Sequence, residues 1–200
     1  VEEFRSIHDT PHTYHLIRDE QSLKALVEQL SHHKELCFDT ETTGFDLYRD
    51  RIVGLSLAVK AHEAWYVEFT ESNSAAFAEV VRPLFESEHI VKVAQNMKFD
   101  IMVLRRLGIE LRGEKIDTMI LHYLLDPESR HNMNYLAERY LRYQPIQIES
   151  LIGRGARQLS MDQVNIEAVK EYAAEDADIT LQLKHVLWEQ IEEQGLVDLY

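Results

Sequence analysis

The chain has 200 residues, 45% of them apolar, which is enough to bury a full core, and a single domain over residues 1–200 is expected. Its formal net charge of −14, from 35 acidic against 21 basic residues, excludes a protein that coats nucleic acid by bulk electrostatics, because displacing counterions from phosphate takes clustered Lys and Arg. The same balance suits an enzyme that holds divalent cations in an acidic pocket.

In chain order, residues 13–17 are predicted to form a short strand. Ser22 is expected to begin a helix over 22–33, with Leu23, Leu26, Val27 and Leu30 on one face. Residues 35–40 are an apolar strand that ends in carboxylates. Segments 52–59 and 64–69 have the β-branched and aromatic content of strands, and 43–50 reads as the turn before them, so a three-stranded meander is expected. Residues 74–86 are helical in pattern, with Pro83 expected to kink or end the helix, and 90–94 is a fourth buried strand. From residue 96 the period is helical over 97–107, 117–125, 133–141 and 165–194. Strands first and helices later, joined by a strand-helix-strand crossover, indicate an α/β domain with a mixed β-sheet flanked by α-helices. There is no internal repeat.

The lone Cys37 gives no disulfide framework and lies in an apolar run, which points to a buried thiol in the reducing cytoplasm. No run approaches the roughly 20 apolar residues of a membrane span, so no membrane partner is expected. The pair His32-His33 lacks the spacing of a zinc site and reads as a helix end. Met97, Met102 and Met119 lie among leucines as core filling, and Asp117-Thr118 reads as a helix cap. The start at Val1, without Met, is what a piece of a longer protein would show.

Three short clusters carry the chemistry. Asp39-Thr40-Glu41 closes a strand, and residues i and i+2 of a strand share a face, so Asp39 and Glu41 can point together while Thr40 faces away. Two carboxylates that close repel unless a cation lies between them. Asn96 stands at a strand end where it could cap a helix, with Asp100 one turn in. Tyr172 and Asp176 are spaced i, i+4 on a long helix, where a phenol beside a carboxylate can position a water, whereas Glu175 and Asp178 point elsewhere. Taken singly, each cluster also has a plain structural reading: a solvated strand edge, an N-cap with an exposed acid, a solvated helix face. Together they supply the hard oxygen ligands that phosphodiester hydrolysis by two divalent cations about 3.5–4 Å apart requires.

These clusters resemble the three exonuclease motifs of the DEDD superfamily, in its tyrosine-containing branch. Arg130-His131-Asn132-Met133, Leu136-Ala137-Glu138-Arg139 and Gln158-Leu159 extend the likeness to the 3′–5′ exonuclease domains of bacterial DNA polymerase I, over about Tyr14 to Leu187. The resemblance implies a ribonuclease H-like fold and proofreading of the 3′ end of single-stranded or frayed DNA. It also implies a polymerase domain following in the same chain, and two divalent cations, Mg²⁺ or Mn²⁺. Asp39, Glu41, Asp100 and Asp176 would then be the metal ligands, with Asp39 the bridge, and Tyr172 would orient the water. Thr42, Phe45, Gln95, Asn96 and Arg130 would contact substrate, Phe45 as a wedge and Arg130 as a phosphate clamp. A core aromatic at a turn is the other reading of Phe45. Phe99 departs from the pattern, standing where related sequences often carry tyrosine, so that hydroxyl's hydrogen bond is absent. Two further readings stay open: a ribonuclease D-like 3′–5′ exoribonuclease using the same five residues, and an inactive structural module that braces a polymerase.

Overall fold

The alternation of apolar residues along the second strand organises the molecule. In the computed structural model, which describes residues 4–200, six strands form one sheet. They are β1 (Thr13–Ile17), β2 (Glu35–Thr42), β3 (Ile52–Lys60), β4 (Glu63–Glu68), β5 (Val91–Ala94) and β6 (Lys115–Asp117), in the order β1-β4-β3-β2-β5-β6. β2, β3 and β4 are the expected antiparallel meander, and β1, β5 and β6 add in parallel, so the sheet is mixed.

Leu36 and Phe38 point to one face, where they pack with helices α1 (Glu20–Leu30), α2 (Ser74–Glu86) and α3 (Met97–Arg106). Cys37 points to the other, beside Ala58 and Ala64. These small side chains let α7 (Ile166–Glu193) lie close through Ala174 and Ala177, with α4 (Thr118–Leu125) packed beside it. At 28 residues α7 is about 42 Å long and packs against β1 through β5. The remaining elements are short: α5 (Met133–Leu136), which runs into a π-helical turn at Ala137–Leu141, and α6 (Ile148–Ile152), followed by 3₁₀ turns at Gly155–Arg157 and Met161–Gln163.

Several boundaries differ from expectation. α1 begins at Glu20 because Asp19, not Ser22, caps it: the Asp19 carboxylate accepts from the Ser22 N–H at 2.8 Å and from its hydroxyl at 2.7 Å. Pro83 does not end α2, whose last turn is held by Leu84 and Phe85 in the core. The segment expected to be helical from 117 starts instead as β6, and only Thr118 onward is helix. His33 does lie just past the end of α1, its N–H on the Leu30 carbonyl.

Candidate active site

β2 delivers two acids to the face that α7 covers. Asp39 and Glu41 follow Cys37 at intervals of two, and there they meet Asp176: one carboxylate oxygen from each of the three lies within 4.8 Å of the others. The pairing with β3 shifts register between Glu41 and Thr42, so the ladder is broken where the acids project. Burial, and then the charge of Asp176, holds the Asp39 carboxyl well above the usual carboxylate range. Burial and then Asp39 does the same to Glu41, while burial and then Glu175 raises Asp176. One of the Asp176 oxygens, Oδ1, is buried without a hydrogen-bond partner among the described residues. Buried oxygens are nearly always paired, and an orphan among three crowded carboxylates offers the kind of hard oxygen donors that a divalent cation takes. The residues present fit such an ion.

Thr40 faces away from this group, as its place in the strand requires, and Asp100 lies on that other side. The Thr40 N–H donates to Asp100 Oδ1 at 3.0 Å and its hydroxyl to the same oxygen at 2.6 Å. Read from its own cluster alone, Asp100 could have been an exposed helical acid. It is 2% exposed, so that reading is corrected: Asp100 lines the cleft but is also the buried acceptor for a strand. Its helix, α3, is placed by another carboxylate. Asp117 accepts the N–H groups of Asn96 at 2.9 Å and Met97 at 2.8 Å, and that of Met119 at 2.9 Å in α4. The Asn96 side chain makes no capping bond, and the residue sits in the left-handed region, φ 58° and ψ 47°.

Tyr172 lines the cleft with Asp176 one turn away. Burial, and then the Asp176 charge, pushes its phenol far upward. Glu175 and Asp178 point elsewhere, as expected. Glu175 accepts from the Tyr143 hydroxyl at 2.6 Å and the Ile146 N–H at 2.7 Å. Asp178 accepts from the Tyr14 hydroxyl at 2.7 Å, the His62 N–H at 2.9 Å and Gln182 at 2.7 Å.

Above the carboxylates opens a cavity of about 420 Å³, whose lining includes no Lys or Arg among the described residues. Phe45 stands at its rim, 87% exposed, edge-on to Phe99 with centroids 6.1 Å apart, so it is not a core aromatic. Thr42 lines it too, its hydroxyl donating to the Gly44 carbonyl at 2.6 Å. Gln95 lines the cleft, but both ends of its amide are engaged: Nε2 donates to the His131 carbonyl at 2.7 Å and Oε1 accepts from the Thr118 hydroxyl. Arg130 is exposed on the loop between α4 and α5 and is not among the lining residues, although its neighbour Asn132 lines an adjoining cavity of about 350 Å³ that reaches Asp39 and Tyr172. An apolar wall of the cavity was missed in the sequence. It is built by Ile148 and Ile152 of α6 together with Leu159 and Met161, and the i, i+3, i+4 spacing of Ile148, Leu151 and Ile152 was the available signal.

Sheet order, flanking helices and the clustered acids define the class: a ribonuclease H-like exonuclease. The fold is similar to that of Brucella melitensis NrnC bound to pGG, with a TM-score of 0.73 at 19% identity, covering 94% of this chain and 85% of that one. It is equally similar to the catalytic core of RRP6 from Trypanosoma brucei, with a TM-score of 0.74 at 17% identity, covering 98% of this chain and 51% of that one. The chain belongs to the 3′–5′ exonuclease domain family of DNA polymerase I: the family described as 3′-5′ exonuclease matches residues 14–192. DNA polymerase I of Pseudomonas aeruginosa is 40% identical over 190 residues, which is 90% of this chain and 21% of that protein. The chain thus spans about a fifth of the length of the curated relatives it matches. No helix among the described residues is long and apolar enough to cross a membrane.

Proposed function

We propose that this domain is a two-metal-ion exonuclease that hydrolyses the terminal phosphodiester at the 3′ end of single-stranded or frayed DNA, releasing 5′-mononucleotides. It would do so as the editing domain of a longer DNA polymerase I with a polymerase domain following in the same chain. The observation that carries the reading is the trio Asp39, Glu41 and Asp176 at the floor of the cleft, crowded within 4.8 Å and including the orphaned Asp176 Oδ1. Asp39, Glu41, Asp100 and Asp176 would hold two divalent cations, Mg²⁺ or Mn²⁺. When bound, such ions supply a hydroxide at neutral pH and neutralise charge on the departing 3′ oxygen.

The side chains of the domain do the remaining work. Tyr172, kept protonated by burial, donates a hydrogen bond that orients the attacking water. Thr40 locks Asp100 in place, so this carboxylate arrives already oriented. Phe45, Ile148 and Ile152 in the cleft lining offer apolar surface to the terminal base, a mode of contact that tolerates any sequence. With no cationic side chain in the cleft lining, the only charged side chains a phosphate meets there are carboxylates, so binding of the strand end should itself depend on divalent cation.

A time course on 5′-labelled single-stranded DNA and matched RNA, in Mn²⁺ or in EDTA with Asp176→Asn as control, tests the reading. A Mn²⁺-dependent ladder shortening from the 3′ end of DNA, absent in the variant, supports it. Preference for RNA would favour the ribonuclease D-like reading, and no cleavage of either by folded protein would favour an inactive brace.

A further inference from the structure

The turn at residues 43–51 holds the two most exposed large apolar side chains among the described residues, Phe45 at 87% and Tyr48 at 95%. Phe45 borders the cleft, whereas Tyr48 lines neither the cleft nor the adjoining cavity. The turn is built to keep both rings out. Asp50 accepts the Asp46 N–H at 2.7 Å and the Thr43 hydroxyl at 3.0 Å. Asp46 in return accepts the Tyr48 N–H at 2.9 Å through its side chain and the Asp50 N–H at 2.8 Å through its carbonyl. Arg106 of α3 holds the Asp50 carbonyl, and Leu47 roots the turn in the core between the two outward rings. A Cβ at Gly44 would stand 2.5 Å from an Asp50 carboxylate oxygen, so a larger residue there would push that carboxylate from its place in the turn.

An aromatic ring fixed in water by such a turn has a flat apolar face ready for a partner with a flat apolar face. The cleft lining offers a nucleic acid no cation, so stacking must carry much of the protein's own hold on the strand. We propose that Tyr48 is a second stacking platform, outside the cleft, for an unpaired base of the same strand upstream of the nucleotide beside Phe45. The inference rests on the single-stranded substrate proposed above. It makes the chain sensitive to the length of the unpaired end: a short oligonucleotide reaches Phe45 alone, a longer one reaches both rings.

The test compares wild type, Tyr48→Ala and Tyr48→Phe on oligodeoxythymidylates of two to eight nucleotides in Mn²⁺. The expected result is no change for Tyr48→Ala on the dinucleotide and a rise in KM of about tenfold on the longer substrates at unchanged kcat, with Tyr48→Phe restoring wild-type values. An equal loss at every length, or no loss at any, overturns the proposal. A second measurement does not rest on cleavage: Tyr48→Trp titrated with the octanucleotide in Ca²⁺ in place of Mn²⁺, so that the strand end still has a divalent cation to bind through, should show quenching of the added indole, and its absence also overturns the proposal. Quenching without cleavage by any form would sink the exonuclease reading while leaving the platform standing.

Discussion

Glu175 and Asp176 are consecutive acids on one helix, both buried, and they live opposite lives. Glu175 faces the body of the protein, where a tyrosine hydroxyl and a backbone N–H occupy its two oxygens. Asp176 faces the cleft, crowded by Asp39 and Glu41, with one oxygen unpaired. Both are buried carboxylates, and the partners differ. A buried carboxylate with every oxygen satisfied is architecture; one held among like charges with an oxygen left open has the character of a ligand site, because nothing in the folded chain repays its desolvation.

The sharpest way to break this contrast is Asp176→Asn. It should lower kcat on labelled DNA by about a thousandfold, since each 1.36 kcal/mol of lost transition-state stabilisation is tenfold and a metal ligand is worth several. Thermal melting in EDTA should show no loss of stability, because the substitution relieves repulsion. Glu175→Ala should do the reverse, costing about 3 kcal/mol in urea unfolding by leaving the Tyr143 hydroxyl and Ile146 N–H without an acceptor. Asp100→Ala joins both classes: activity should vanish, and stability should fall by about 2 kcal/mol as Thr40 loses its acceptor. Asp100→Ala melting like wild type would show that Thr40 finds water there.

Acidity sharpens the comparison further. Burial lifts even the satisfied Glu175 to about 7 from an ordinary 4.5, and it lifts Asp39, Glu41 and Asp176 well above theirs. Between the ordinary and the raised value the folded state binds more protons than the unfolded one, so stability declines as pH rises through that window. In EDTA, urea midpoints should fall from pH 5 to pH 8. Saturating Mn²⁺ should flatten the decline by offsetting the cleft carboxylates, leaving the part that belongs to Glu175. The smallest effect is expected at a third kind of acid on the same helix. Glu167 is an exposed partner of Lys170 at 2.7 Å, and Glu167→Gln should move stability by less than about 0.5 kcal/mol.

How much of this was legible in the sequence depended on whether a pattern was local. The i, i+2 spacing of Asp39 and Glu41 and the i, i+4 spacing of Tyr172 and Asp176 gave the right faces, and β1 was legible to the residue at Thr13–Ile17. What failed had no period to show. β6 is three residues long and runs straight into α4, so its strand was absorbed into the helix. The wall over 148–161 is one short helix and 3₁₀ turns, too brief for periodicity to stand out. The bond between Thr40 and Asp100 spans sixty positions in sequence, and no spacing rule reaches that far. Asp117 was correctly read as a cap, but that it serves two helices at once follows only from the sheet bringing Asn96 beside it.

Asn96 has a consequence for anyone who probes this cleft by alanine scanning. Its left-handed backbone costs an alanine about 1–2 kcal/mol, a penalty that asparagine bears more easily and glycine escapes. An alanine there would twist the start of α3, displace Asp100, and be scored as a lost substrate contact even if the amide never touched DNA. Asn96→Gly, which deletes the side chain and leaves the backbone at ease, is the substitution whose phenotype can be read.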